Sequence, residues 1–219
     1  MALYKYNTSG VFSEIKEKPF KLERDIQRMV ETNMSEIIGL EMIKSEFTIK
    51  DRRIDTLAFD PQSKAFVIIE YKRERNSSVI DQGFTYLSLM LQNQADFILE
   101  YNETQARNLK RNDVDWSQTK VVFVSQGFTP NQREAVNFKD LSIELWEVKR
   151  YENDSVSITP IRKSHASASI KTVMQNSPEF KEVTEKIKEY SEENLLKGKS
   201  DDVVELYESY KNAILNLNT

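Results

Sequence analysis

The 219-residue chain contains no cysteine and a single histidine, and these two shortages remove whole classes of chemistry. Without cysteine there is no disulfide, no thiolate metal site and no cysteine nucleophile. Histidine-rich zinc sites are excluded, and a Ser-His-Asp triad would have to use His165. That residue sits in the Ser- and Ala-rich run from Ser164 to Ser169, which reads as a connector, so it is taken as a solvated linker histidine. Any metal must then be held by oxygen ligands, which points to magnesium or manganese.

Long apolar runs are missing as well. Nothing approaches the roughly 20 apolar residues that span a bilayer, and Met1 to Tyr6 shows no secretory signal pattern. A cytoplasmic location and no membrane partner are the expectations. There is no excess of positive charge either: the formal net charge is −4, which argues against a broadly basic, nucleic-acid-coating protein. The first 163 residues hold 24 Lys+Arg against 25 Asp+Glu, and the remainder 7 against 10, so most of the acidity lies in the tail. Basic residues in the first part gather as Lys50, Arg52 and Arg53, then Lys72, Arg73 and Arg75, then Arg107, Lys110 and Arg111. Each cluster reads as solvated surface or as a phosphate-binding rim.

What is present is more specific. Two β-like runs, 53–60 and 65–73, are joined by a turn over Pro61 to Lys64. If the hairpin turns about the middle of that segment, Asp55 lies opposite Glu70, and alternation puts Lys72 on the same face as Glu70. Two opposed carboxylates repel unless a cation sits between them. The hairpin therefore reads as a divalent-metal site with a lysine beside it.

Around it, helical spacing over 21–33, a strand over 40–49, a helix over 79–92 and a partly helical 95–109 with a short strand at 97–99 are predicted. Asn76, Ser77 and Ser78 offer N-caps for the 79–92 helix. A buried strand over 120–125, a helix from Thr129-Pro130 to Phe138 and closing strands over 141–151 and 155–161 complete the first 163 residues. A meander followed by helix–strand crossovers gives a mixed α/β sheet with helices on both faces. The expected domains are 1–163, a linker over 164–176, and a helical segment over 177–219 with helices at 179–196 and 201–217.

Two further polar residues border apolar helical stripes: Glu23 before Ile26 and Val30, and Gln82 at the helix end nearer Lys72. Each also reads as a plain structural side chain. Taken together, Leu22-Glu23-Arg24-Asp25-Ile26, Arg53-Ile54-Asp55, Ile69-Glu70-Tyr71-Lys72-Arg73 and Asp81-Gln82 with Tyr86 resemble the PD-(D/E)XK nuclease superfamily, and within it the NucS-type endonuclease C-terminal domain. Isoleucine stands where the superfamily motif has its proline. The tail is similar to the start of a small domain of unknown function found behind such domains.

The resemblance implies a restriction-endonuclease-like fold with an αβββαβ core, and Mg²⁺-dependent (or Mn²⁺-dependent) endonuclease activity on nucleic acid, with DNA the expected polymer. It implies that Asp55, Glu70 and the Tyr71 backbone carbonyl bind the metal, with Glu23 reaching it through water. Lys72 would act on the attacking water or the phosphate, and Gln82 would be the polar helper. With two carboxylates nearby, Lys72 is read as an electrostatic positioner. Arg53, Arg73 and Arg75 are the candidate nucleic-acid contacts, and the C-terminal helices a candidate homodimer contact. The competing reading is a catalytically silent nuclease-fold module that binds nucleic acid or protein.

Overall fold

The computed structural model describes residues 2–73, 79–138, 140–164 and 195–216. A short hairpin, β1 (Leu3–Tyr6) and β2 (Phe12–Ile15), precedes helices α1 (Glu23–Thr32) and α2 (Met34–Ile38). Strands β3 (Glu41–Ile49), β4 (Arg52–Asp60) and β5 (Ala65–Lys72) then meander antiparallel. Helices α3 (Val79–Gln92) and α4 (Gln94–Gln105) cross to β6 (Lys120–Ser125), and α5 (Pro130–Ala135) leads to β7 (Ile143–Arg150) and β8 (Val156–Pro160). One six-stranded sheet results, in the order β3-β4-β5-β6-β7-β8, with β5, β6 and β7 parallel and β8 antiparallel to β7. The succession α1, β3, β4, β5, α3, β6 is the expected αβββαβ core of a mixed sheet flanked by helices.

Strand β5 shows why the sheet is central. Its first seven residues are buried, because β4 and β6 flank it and helices cover both faces. Phe66 and Ile68 join Leu87, Met90 and Phe97 in the layer under α3 and α4. Val67, Ile69 and Tyr71 alternate to the other face and meet Ile26 and Val30 of α1. Helix α3 lies unusually close to the sheet at Gly83, where a Cβ would run into the Ile143 side chain and approach Phe123.

The short strand expected at 97–99 is instead part of α4. Phe97 and Tyr101, four apart, are both buried, so helical period prevails over the local apolar run. Helix α2 and the β1–β2 hairpin were not anticipated. The former ends at Gly39, whose left-handed backbone (φ +67°) its missing Cβ permits.

The chain divides into two compact units, Met1–Ile187 and Lys188–Thr219. The expected linker over 164–176 lies outside the described residues beyond Ser164, as do the Asn76–Ser78 caps, His165, and the 179–196 helix except its last two residues. Within the second unit, α6 (Asp201–Asn216) forms where the second tail helix was expected. Among the described residues no helix is long and apolar enough to cross a membrane.

Candidate active site

Backbone pairing between β4 and β5 ends at Thr56 and Ile69, where side chains replace it. One step further on, the Asp55 N–H donates to Glu70 Oε1 at 3.1 Å, and the Tyr71 N–H donates to Asp55 Oδ2 at 3.0 Å. Each carboxylate thus grips the backbone of the opposite strand, and the two acids meet where the hairpin register put them. These two amide donors oppose the mutual repulsion, a contribution that counting charges alone leaves out.

The remaining oxygens are unequal. Glu70 Oε2 accepts from Gln82 Nε2 at 3.0 Å and faces the Lys72 ammonium at 3.5 Å. Asp55 Oδ1 has no hydrogen bond or ion pair among the described residues. Helix α3 supplies the lid of this corner: Gln82 also donates to the Tyr86 hydroxyl at 3.1 Å, which in turn donates to the Arg53 carbonyl at 3.2 Å.

Electrostatics follow from burial. Glu70 is 2% exposed; desolvation first, and then the Asp55 charge, push its carboxyl up to about 7. Asp55 is also raised, chiefly by desolvation, while the Tyr71 N–H and the Lys72 charge pull it down. The Tyr86 hydroxyl is pushed up to about 12, first by burial and then by the charge on Glu70. Two adjacent carboxyls whose charged forms are disfavoured by burial are a site that a divalent cation would complete.

Glu23 opens α1 and is exposed; its Oε1 accepts the Arg73 N–H at 2.8 Å. Its charge contributes to raising Asp55, so it lies within electrostatic reach. Among the described residues, however, no three acidic or imidazole groups gather closely enough to hold one ion together. The donor set fits magnesium in this form, since that ion takes one or two carboxylates and keeps several waters.

Of the three arginines expected to touch nucleic acid, Arg53 is exposed and pairs loosely with Glu46 at 3.7 Å. Arg73 Nη1 donates to the Lys21 carbonyl at 3.3 Å, and Arg75 lies outside the described residues. Both Tyr71 and Tyr86 are buried, which leaves neither ring open for base stacking.

Behind the carboxylates, α1 supplies polar groups that the sequence reading passed over. Gln27 Nε2 donates to the Asp55 carbonyl at 3.0 Å and to Glu31 Oε1 at 3.0 Å. The buried Thr56 hydroxyl bonds Glu31 at 2.6 Å and the Tyr71 hydroxyl at 3.2 Å. Gln27 and Glu31 lie one helical turn apart, on the flank of the Ile26–Val30 stripe. That position is the signal that points to them, although it is shared by many surface residues.

Over 208 residues the chain is 55% identical to an uncharacterized protein of Haemophilus influenzae, a match that covers 95% of this chain and 69% of the other. The chain belongs to that protein's family. No protein-family model matches it. Among solved structures, this chain is distantly similar to a repair endonuclease from Pyrococcus abyssi (16% identity, 60% of this chain and 50% of that one, TM-score 0.34). EndoMS in its apo form gives 16% identity over 62% and 50% of the two chains with a TM-score of 0.39. The structure of Pyrococcus furiosus SfsA in complex with Ca²⁺ gives 13% identity over 68% and 75%, with a TM-score of 0.31. The chain spans about half the length of the two endonuclease structures. These distant likenesses add nothing to the chemistry, which rests on the residues above.

Proposed function

We propose that this protein is a Mg²⁺- or Mn²⁺-dependent endonuclease that hydrolyses phosphodiester bonds in DNA. The carrying observation is the Asp55–Glu70 pair: a half-buried and a buried carboxylate on neighbouring strands, each bound to the other strand's N–H, with Lys72 beside them. The motif resemblance of these residues to PD-(D/E)XK nucleases supports the same reading. Asp55 Oδ1, Glu70 and the Tyr71 carbonyl would hold the metal, with Glu23 touching it through water. When bound, the ion would lower the pKa of a water and offset charge on the phosphate.

The chain's own groups divide the remaining work. Gln82 fixes Glu70 by its 3.0 Å hydrogen bond, and Glu23 fixes the backbone just beyond Lys72. The Lys72 ammonium, one quarter exposed, stands where it can stabilise the charge that builds on the phosphate. Arg53 and Arg73 would hold neighbouring phosphates. Asp55→Asn and Lys72→Ala are each expected to lower cleavage of duplex or single-stranded DNA by at least ~10³-fold, with circular dichroism unchanged. Mg²⁺ calorimetry should show binding to the wild type and a large loss in Asp55→Asn. Full metal-dependent cleavage by both variants would sink the site assignment.

We also propose that the C-terminal helices pair two copies of the chain, which would bring one site to each strand of a duplex. The exposed apolar residues of α6 support this reading.

A further inference from the structure

At the far side of the sheet from the hairpin, a recess of about 310 Å³ opens between α5, β7 and β8, lined among others by Arg133, Lys149, Tyr151, Ser157, Thr159 and Arg162. Its composition is unusual in hydrogen-bonding terms. Tyr151 is 1% exposed, yet its hydroxyl is buried with no partner, a state that folded proteins rarely leave unexplained. The hydroxyls of Ser157 and Thr159 and the guanidinium of Arg162 also make no protein hydrogen bond or ion pair among the described residues. Arg133 and Lys149 are engaged, the first with Glu147 at 2.7 Å and the second with Glu17 at 2.6 Å and Glu147 at 3.8 Å. The Glu147 carboxylate also lines the recess, between Arg133 and Lys149; with those pairs counted, Arg162 leaves it net cationic and rich in donors. Tyr151 lies near enough to Lys149 for the two to interact electrostatically.

Position matters as much as composition. Lys72 pairs in register with Ser125, and Ser125 with Glu147, so the recess begins two strands from Lys72 along one row. Glu70, Lys72, Glu147 and Lys149 stand on the same face of the sheet by strand alternation. Two strand spacings are about 10 Å, the axial rise of roughly three phosphates along one strand of B-form DNA.

We propose that this recess is a phosphate subsite, in which Arg162 and the hydroxyls of Tyr151, Ser157 and Thr159 bind a backbone phosphate of the strand whose scissile bond lies at Asp55 and Glu70. It rests on the nuclease reading for the identity of that strand, but the subsite itself is tested without catalysis. Binding of a fluorescent single-stranded oligonucleotide is measured in chelator by anisotropy, as a function of salt, for wild type, Arg162→Gln and Tyr151→Phe, with melting curves for each. Arg162→Gln should weaken binding about tenfold and lower the salt slope by about 0.7, the value for one single-strand phosphate. Tyr151→Phe should weaken binding several-fold while melting no lower than wild type, because it deletes a hydroxyl that the fold leaves unpaired. Inorganic phosphate forms the second arm: competition with the oligonucleotide, lost in Arg162→Gln, supports the subsite. Wild-type affinity in both variants overturns it, and so does phosphate binding that the variants lose while oligonucleotide binding stays intact. If wild type fails to cleave in Mg²⁺ yet the variants bind more weakly, the subsite stands and the nuclease reading falls. If wild type cleaves and the variants bind normally, the reverse holds.

Discussion

Asp55 and Glu70 are held by backbone amides rather than by each other, but burial, which outweighs those amides, decides how the pair responds to pH. A carboxyl whose folded pKa lies above its unfolded value keeps its proton more tightly in the folded state. Glu70, raised from an ordinary 4.5 to about 7, therefore contributes stability that is fully present below about 4.5 and lost as pH rises through about 7. The span corresponds to on the order of 3 kcal/mol. In metal-free protein, urea unfolding should show wild type losing stability between pH 5 and pH 7.5 by more than Glu70→Gln does. Parallel pH profiles for the two would exclude Glu70 as the source. Magnesium should act in the opposite sense, raising the melting temperature more at pH 7.5 than at pH 5, since a cation competes with protons for the same oxygens.

Helix α3 carries both halves of its function on neighbouring residues. Gln82 faces Glu70, and Gly83 lets the helix settle against Ile143 and Phe123. Alanine is the better helix former by about 1 kcal/mol, yet here its methyl group has no room. Gly83→Ala is expected to cost about 1–3 kcal/mol by overpacking, and to reduce cleavage as Gln82 is levered away from Glu70. Equilibrium unfolding combined with a cleavage assay checks both; a stabilised, fully active variant would show that the helix is not pinned there. Most elements of this layer were readable in advance. The 120–125 strand matches its expected bounds to the residue, because the four-residue apolar run Val121–Val124, closed by Lys120 and Ser125, has little room to slide. Segment 97–99 was misread, because three apolar residues in a row carry no period; only Tyr101, one turn on and buried beside Phe97, reveals the helix.

The molecule as a whole combines a sheet domain close to charge balance with an acidic tail. If the proposed activity on DNA holds, local cationic spots would do what a basic surface does elsewhere, and binding would be confined to a few phosphates. In the second unit, Val203, Leu206, Tyr207, Tyr210 and Ile214 of α6 are all exposed. They recur at intervals of three and four, the seam of a helix that packs against another. Sedimentation of the full chain should give a dimer that Tyr210→Asp combined with Ile214→Glu converts to monomer, with the sheet domain's circular dichroism retained. An unchanged sedimentation coefficient would remove the helices as the pairing surface.

The hairpin register, the shared face of Asp55, Glu70 and Lys72, and the mixed α/β architecture all follow from local rules. Strand alternation and the length of a four-residue turn determine which side chains meet, whatever the rest of the chain does. Contacts made across long sequence gaps obey no such rule. Glu23 reaches the Arg73 N–H across 50 residues, and Gln27 reaches the Asp55 carbonyl across 28. The recess around Tyr151 joins α5 to two later strands. These depend on how helices settle against the sheet, which is governed by the summed packing of many side chains and not by the spacing of any few. The carboxylate pair could therefore be read from residue order, while its supports and the neighbouring recess came into view only once the layers were assembled.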